Sequence, residues 1–213
     1  MADEKGPEPS ENASKSFEII CGVIIAVFAA MLAITSLGAD KYGGDELIAH
    51  NEKNGAYLWY QSKGIKETLV EGQRDTLQAL VDAGSIRAEQ LPAIQDQVGK
   101  LKANAQRYGK EKNEILLGST AVGPKNWAQD VDGKLGQVVG AKQWENKANA
   151  LNAAGDTFNY ATFFLQLCLV FGAISLVVQR NAVRRAFFWG MNGLGVIGTV
   201  YCILAFHQAM QVS

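Results

Sequence analysis

Four groups of residues in this 213-residue chain have types and spacing that could do chemistry. The first, Gly193-Leu-Gly195-Val-Ile-Gly198, matches letter for letter the dinucleotide fingerprint, whose glycines let a backbone approach a pyrophosphate. That fingerprint needs a strand before it, a helix opening at the glycines and an acidic residue about 20 positions later. Here the glycines lie inside an apolar run and no acidic residue follows, so they read as small residues that let helix backbones pack closely. The second group, Asp130-Val-Asp132-Gly133, has the spacing of the centre of a calcium loop. In that register Ala128 stands at the first position and Val139 at the last, where an acid and a bidentate glutamate are needed. A solvated turn is the better reading.

The third group is the two histidines, His50 and His207, which are far apart in the chain and form neither a metal site nor a triad. Cys21, Cys168 and Cys202 all fall in apolar runs, which excludes a disulfide framework or a thiolate ligand set outside them. Hydrolytic and redox chemistry thus lose their usual residues, and the expectation is a protein that is not an enzyme and holds no metal or cofactor.

The fourth group is AYLWYQSKGIK at residues 56 to 66. It sets Tyr57, Trp59 and Tyr60 beside Gln61, Lys63 and Lys66, a candidate interaction surface. Trp59 lies four residues before Lys63, a spacing that permits a cation–π contact on one helix face. Three readings stay open: packing inside a helical seam, an interfacial helix folded down onto lipid headgroups at Gly43-Gly44, and a recognition patch for a partner protein or subunit.

The elements that carry these residues follow from the hydrophobic pattern. A composition 48% hydrophobic and 19% charged, with net charge -1, is that of an ordinary soluble domain. The average conceals three uncharged runs, Ile19 to Leu37, Tyr160 to Val178 and Ala186 to Phe206, each long enough to cross roughly 30 Å of hydrocarbon. They predict transmembrane helices over 17–38, 158–179 and 186–207. A cleaved signal at the first run is disfavoured by its long acidic leader and by an apolar run longer than signals use.

Within the spans Gly22, Ala26 and Ala30 recur at four-residue spacing, as packing residues do. Gln166 and Asn192 are the strongly polar side chains there; with Gly193, Gly195 and Gly198 they are expected to face the helix bundle or a neighbouring subunit. Arg180, Arg184 and Arg185 crowd the short loop 180–185 and predict that it is cytoplasmic. The tail 1–16, too polar to order itself, is then cytoplasmic as well, residues 39–157 are extracytoplasmic, and 208–213 form an outer tail. Lys41, Lys53, Lys142 and Lys147 pull against this orientation.

In the outer region, Gly43-Gly44 predicts a break with Asp45 capping a new helix that closes at Gly84-Ser85. Pro92 suits the first turn of the next helix. There Leu91, Ile94, Val98, Leu101, Ala105, Tyr108 and Ile115 keep an alternating three-four spacing, interrupted by Lys112. The same spacing in the preceding helix selects Ile48, Asn51, Gly55, Leu58, Ser62, Ile65 and Leu69, and the two seams are expected to meet. Residues 118–140 read as a loop with one short helix around Trp127. Trp144, Ala148, Leu151 and Phe158 then stay in phase with Leu165 and Leu169, so one helix is expected from about Ala141 to Gln179. The fold class is an all-α integral membrane protein with three transmembrane helices and an extracytoplasmic, coiled-coil-like antiparallel helical hairpin.

This order of parts, namely a first span, NGAYLWYQSKGIKETL, a heptad helix containing RYGKEKNEI, then DTFNYATFFLQLCLVFGAISLVVQR and a glycine-rich last span, resembles the domain of unknown function 4337 family of bacterial membrane proteins. The most specific points are Trp59, Tyr60, Gln61, Lys63, Ile65 and Lys66, with Phe158, Leu165 and Gln166. Trp59 directly against Tyr60 and the glycine-rich 118–140 stretch depart from the family pattern. The resemblance implies a membrane location and a helical architecture, and supplies no activity and no catalytic residue. The expected function is a non-enzymatic scaffold or accessory subunit of a membrane complex in the bacterial inner (cytoplasmic) membrane. It would be multi-pass and self-associating through coiled-coil and small-residue contacts, with membrane lipids but no nucleic acid as partners. The alternative is a lipid-binding or permeation protein formed by an oligomer.

Overall fold

The computed structural model describes residues 9–212 and is almost entirely helical: α1 (Pro9–Asp82), α2 (Leu91–Leu117), α3 (Ser119–Val122), a 3-10 turn (Pro124–Asn126), the antiparallel strands β1 (Asp130–Val131) and β2 (Lys134–Leu135), α4 (Ala141–Val177) and α5 (Asn181–Met210). Stretches of α1, α4 and α5 are each long and apolar enough to cross a membrane. The chain divides into two compact units. One comprises residues 47–148; the other joins the residues up to Glu46 to those from Asn149 onward.

Helix α1 runs through Gly43-Gly44 without the expected break, and Asp45 caps nothing. A glycine inside a helix costs about 1 kcal/mol against alanine. None of the glycines inside α1 takes a positive φ, so the neighbouring turns carry them. The helix ends at Gly84, which adopts φ +65° while Gly84 N–H bonds to the Val81 carbonyl and Ser85 N–H to that of Leu80, a Schellman closure. Pro92 stands in the first turn of α2, as its missing N–H favours. At the other end α1 begins at Pro9, within the tail expected to lack order; residues 1–8 of that tail lie outside the described residues.

In the unit containing the apolar helices, Cys21, Cys168 and Met191 form a fully buried cluster ringed by Phe17, Ile25, Phe28, Phe171 and Phe188. Thr35 is buried too, its hydroxyl donating to the Met31 carbonyl at 2.8 Å. At one end of the unit Tyr42, Phe158 and Phe206 interlock, with ring centroids 5.1 to 6.3 Å apart. Ala148, Leu151, Phe158 and Leu165 of α4 are all buried, as their spacing predicts, and Gly155 does not interrupt the helix.

In the 47–148 unit the seam of α2 is where its spacing put it: Leu101, Ala105 and Ile115 are buried and Leu91, Ile94, Val98 and Tyr108 half-buried. The seam expected on α1 is not. Ile48, Leu58, Ile65 and Leu69 are 58 to 69% exposed, while Ala49 is buried and Ala56, Tyr60, Lys63 and Glu67 are half-buried. The physical reason is polar. Lys63 of α1 reaches Glu111 of α2 at 2.5 Å and Glu67 pairs with Lys112, so α1 turns its charged stripe toward α2 and its apolar stripe away.

Candidate interaction surface

Helix α1 distributes AYLWYQSKGIK over three environments. Tyr57 donates its hydroxyl to Glu145 at 3.1 Å. That hydrogen bond, with desolvation and the carboxylate's charge in support, holds the phenol above its ordinary 10.0. Tyr60 lies under the Lys112 ammonium at 5.8 Å, and Lys63 sits 5.9 Å from the ring of Tyr108, both within cation–π range. Lys63 therefore serves Glu111 and Tyr108 rather than the Trp59 its spacing suggested. Trp59 lines a recess of about 300 Å³ with Gly55, Val131, Val138 and Trp144. Gln61 and Lys66 are exposed.

Lys112, which breaks the apolar spacing of α2, was the one signal in the sequence for this joint. Its hydrogen bond to Glu67 raises its pKa above 10.5; desolvation opposes this, and the charges of Glu67, Tyr60 and Glu71 add to it. Gly109 lies against the Glu67 carboxylate, where a side chain would meet Oε1 at 2.9 Å.

The 118–140 stretch is folded around a residue that sequence reasoning missed. Glu114 is fully buried and accepts from the Ser119 hydroxyl (2.6 Å) and from the backbone N–H groups of Ala128 (2.7 Å) and Gln129 (2.8 Å). Ser119 Oγ in turn accepts from Val138 N–H at 2.9 Å, and Trp127 Nε1 donates to the Ser119 carbonyl at 2.8 Å. Gly136 leaves room for the Trp127 ring, and Gly140 rests on the backbone of Leu117 and Gly118.

Asp132 and Gly133, at φ 52° and 78°, turn β1 into β2, with Gly133 N–H bonded to the Asp130 carboxylate at 2.6 Å. That is the two-residue turn an Asp-Gly pair signals, and it agrees with a turn at Asp130–Gly133. Among the described residues no group of three or more His, Cys, Asp or Glu side chains is placed to hold a metal ion.

The residues expected to pack the apolar helices sort into two sets. Gly195 lies under Phe28 and Gly198 against Leu165, the close approach small residues permit. Gly22 and Gly193 have no atom within 4 Å of where a side chain would start, and Ala26, Ala30 and Gln166 are exposed. Asn192 turns its amide onto the Phe188 carbonyl of its own helix at 2.8 Å.

An all-helical chain with three helices apolar enough to span a membrane is the class these features define. Within that class, the model of a domain of unknown function, DUF4337, matches residues 17–208, and the chain belongs to that family. Comparison with curated proteins and with solved structures finds no match.

Proposed function

We propose that this protein is a non-enzymatic, membrane-anchored scaffold or accessory subunit of a larger complex in the bacterial inner membrane. Its three apolar helices insert as transmembrane helices, and its 47–148 unit stands outside the cytoplasm as an antiparallel helical hairpin. The observation that carries this reading is how the charges of the outer unit are used. Lys63 with Glu111 and Glu67 with Lys112 join α1 to α2, while Glu114 ties the following loop to α2. Side chains that could serve a reaction instead lock helices together, which suits a strut. Insertion is supported by Ile19, Val23, Val27, Phe163, Trp189 and Ile203, large apolar side chains that are 54 to 72% exposed along the apolar helices, where lipid would cover them.

A second reading, lipid binding or permeation between subunits, is favoured by Gln166. It is a polar side chain exposed on an apolar helix, and in hydrocarbon such a group needs a partner or a cavity. Purification of the tagged protein from native membranes in mild detergent, with cross-linking before extraction, tests the proposal. The expected result is an oligomer or a defined set of co-purifying membrane proteins. A monomer that cross-links to nothing overturns it, and solute flux from liposomes holding only this protein would favour the second reading.

A further inference from the structure

One exposed face of α5 changes chemistry along its length. At intervals of three or four residues it reads Arg185, Trp189, Gly193, Val196 and Val200, each exposed, and that spacing keeps them on one side of the helix. Trp189 is 72% exposed and Val196 59%, while at Gly193 no atom lies within 4 Å of where a side chain would start. The face thus runs from a cation past an indole to a notch and then to branched aliphatic side chains. We propose that it binds an anionic phospholipid, with the phosphate at Arg180 and Arg185 and one acyl chain laid past Trp189 into the notch at Gly193. This site rests on the membrane-anchored reading above, to which it adds a lipid class and a place.

Charge selects the headgroup. In the unit that holds the apolar helices, Lys15 and Arg184 have partners, and Lys41 lies over the Tyr42 ring at 4.8 Å. Arg180 and Arg185 are exposed, and among the described residues neither guanidinium has an ion pair, a hydrogen bond or a ring contact. The sequence from 157 to 213 holds no acidic residue, so neither α5 nor the adjoining part of α4 offers them a carboxylate. The start of α5 adds charge of the same sign, since it has no side-chain cap and no acid in its first turn. A planar guanidinium matches two phosphate oxygens at once.

A phosphate ion would satisfy that charge equally well; the face beneath it is what selects a lipid. The rise from Arg185 to Val196 is about 16 Å, about half of a roughly 30 Å hydrocarbon core and so the depth of one leaflet. A phosphate held at Arg185 therefore places its acyl chain alongside Trp189, Gly193 and Val196. The indole, with an apolar ring and a polar N–H, sits at the headgroup level where tryptophan is enriched.

The test is fluorescence quenching of the full chain in phosphatidylcholine vesicles that carry increasing fractions of brominated phosphatidylglycerol, which is anionic, or brominated phosphatidylcholine, which is not. Four tryptophans share the signal, so Trp189 is read as the difference between the parent chain and Trp189→Phe. The expected result is a relative affinity for phosphatidylglycerol of about fivefold or more, the factor that a single surface arginine supplies. Arg180→Gln with Arg185→Gln should bring that ratio close to one while quenching by phosphatidylcholine persists. Gly193→Leu leaves every charge in place and fills the notch, and should lower the ratio too. All three positions are exposed, so circular dichroism should show the parent's helicity in each variant. Equal quenching by the two lipids in the parent chain, or a preference that survives loss of both arginines, overturns the site and leaves insertion standing. A ratio that Gly193→Leu leaves unchanged means that the arginines attract anionic lipid from every side, and it also overturns the site. No quenching of Trp189 by either lipid overturns insertion, and the site with it.

Discussion

Glu114 draws two backbone N–H groups and a hydroxyl onto one side chain. Its two oxygens receive three donors from residues that follow it by 5 to 15 positions, so it organises the loop as well as sitting beneath it. Removing it leaves those donors buried and unpaired, and each such group costs about 1–3 kcal/mol. Glu114→Ala should therefore lower the stability of the 47–148 unit by on the order of 3 kcal/mol. The first sign should be faster tryptic cleavage after Lys125 and Lys134, which lie exposed in the same loop. Glu114→Gln, which keeps an acceptor, should lose less. Equal cleavage of wild type and Glu114→Ala would mean that the loop is held by Trp127 and the glycines alone.

At the scale of elements, α1 and α2 are joined by ion pairs whose protonation can be followed. The pKa of Lys112 is raised by its bond to Glu67 and that of Tyr57 by its bond to Glu145. In both cases the protonated form is the one the fold favours. The stabilisation is then fully present below the ordinary values of 10.5 and 10.0 and is lost as the pH climbs through the raised ones. The melting temperature of the 47–148 unit should hold level to about pH 10 and fall above it, and Glu67→Gln should lower that level already at neutral pH and flatten the fall. A melting temperature that Glu67→Gln leaves unchanged at neutral pH would discount the pair as a joint. The Lys112–Glu67 pair is partly open to solvent, so its effect will shrink in high salt.

The same joint marks how far the sequence could be read. The three apolar helices, the seam of α2, the stop at Gly84 and the unbroken α4 followed from charge-free runs, three-four spacing and turn chemistry, because each is set within a few turns of chain. The phase of α1 did not follow. Its stretch in the 47–148 unit carries two heptad stripes, Ile48-Leu58-Ile65-Leu69 and Ala49-Ala56-Tyr60-Lys63-Glu67, and apolarity alone selects the first. What turns the second toward α2 is a set of charges more than forty residues away, Glu111 and Lys112, and local pattern holds no information about such pairs. The helical continuity across Gly43-Gly44 was hidden for a related reason: a glycine pair signals permission to bend, and only the surrounding turns decide whether the bend is used. Of the candidate surface, Tyr57, Tyr60 and Lys63 proved to be joints within the fold, Trp59 lines a recess, and Gln61 and Lys66 remain available at the rim of the exposed stripe.

For the whole molecule, the arrangement of the apolar helices bears on which way the chain is threaded. The Arg184 guanidinium stacks on the Phe17 ring at 3.9 Å, and the Ser175 hydroxyl donates to the Arg184 carbonyl at 3.2 Å. The start of the first apolar stretch therefore meets the short link between α4 and α5, and Tyr42 meets Phe158 and Phe206 at the other end. The proposed three-span insertion needs that match of ends, whichever way the chain is threaded. The sign is set by charge: Arg180, Arg184 and Arg185 cluster at the first end, and short loops rich in arginine stay in the cytoplasm. Lys110 of α2 is exposed, and the proposed orientation puts it outside the cytoplasm. A cysteine placed there (Lys110→Cys) should react with a membrane-impermeant maleimide added to spheroplasts, and one at Asn181 (Asn181→Cys) should react only after the membrane is opened. Labelling in the opposite order would invert the orientation. The packing of the apolar helices would stand, but the α1 stripe and the Trp59 recess would then face the cytoplasm, and a partner would have to be sought there.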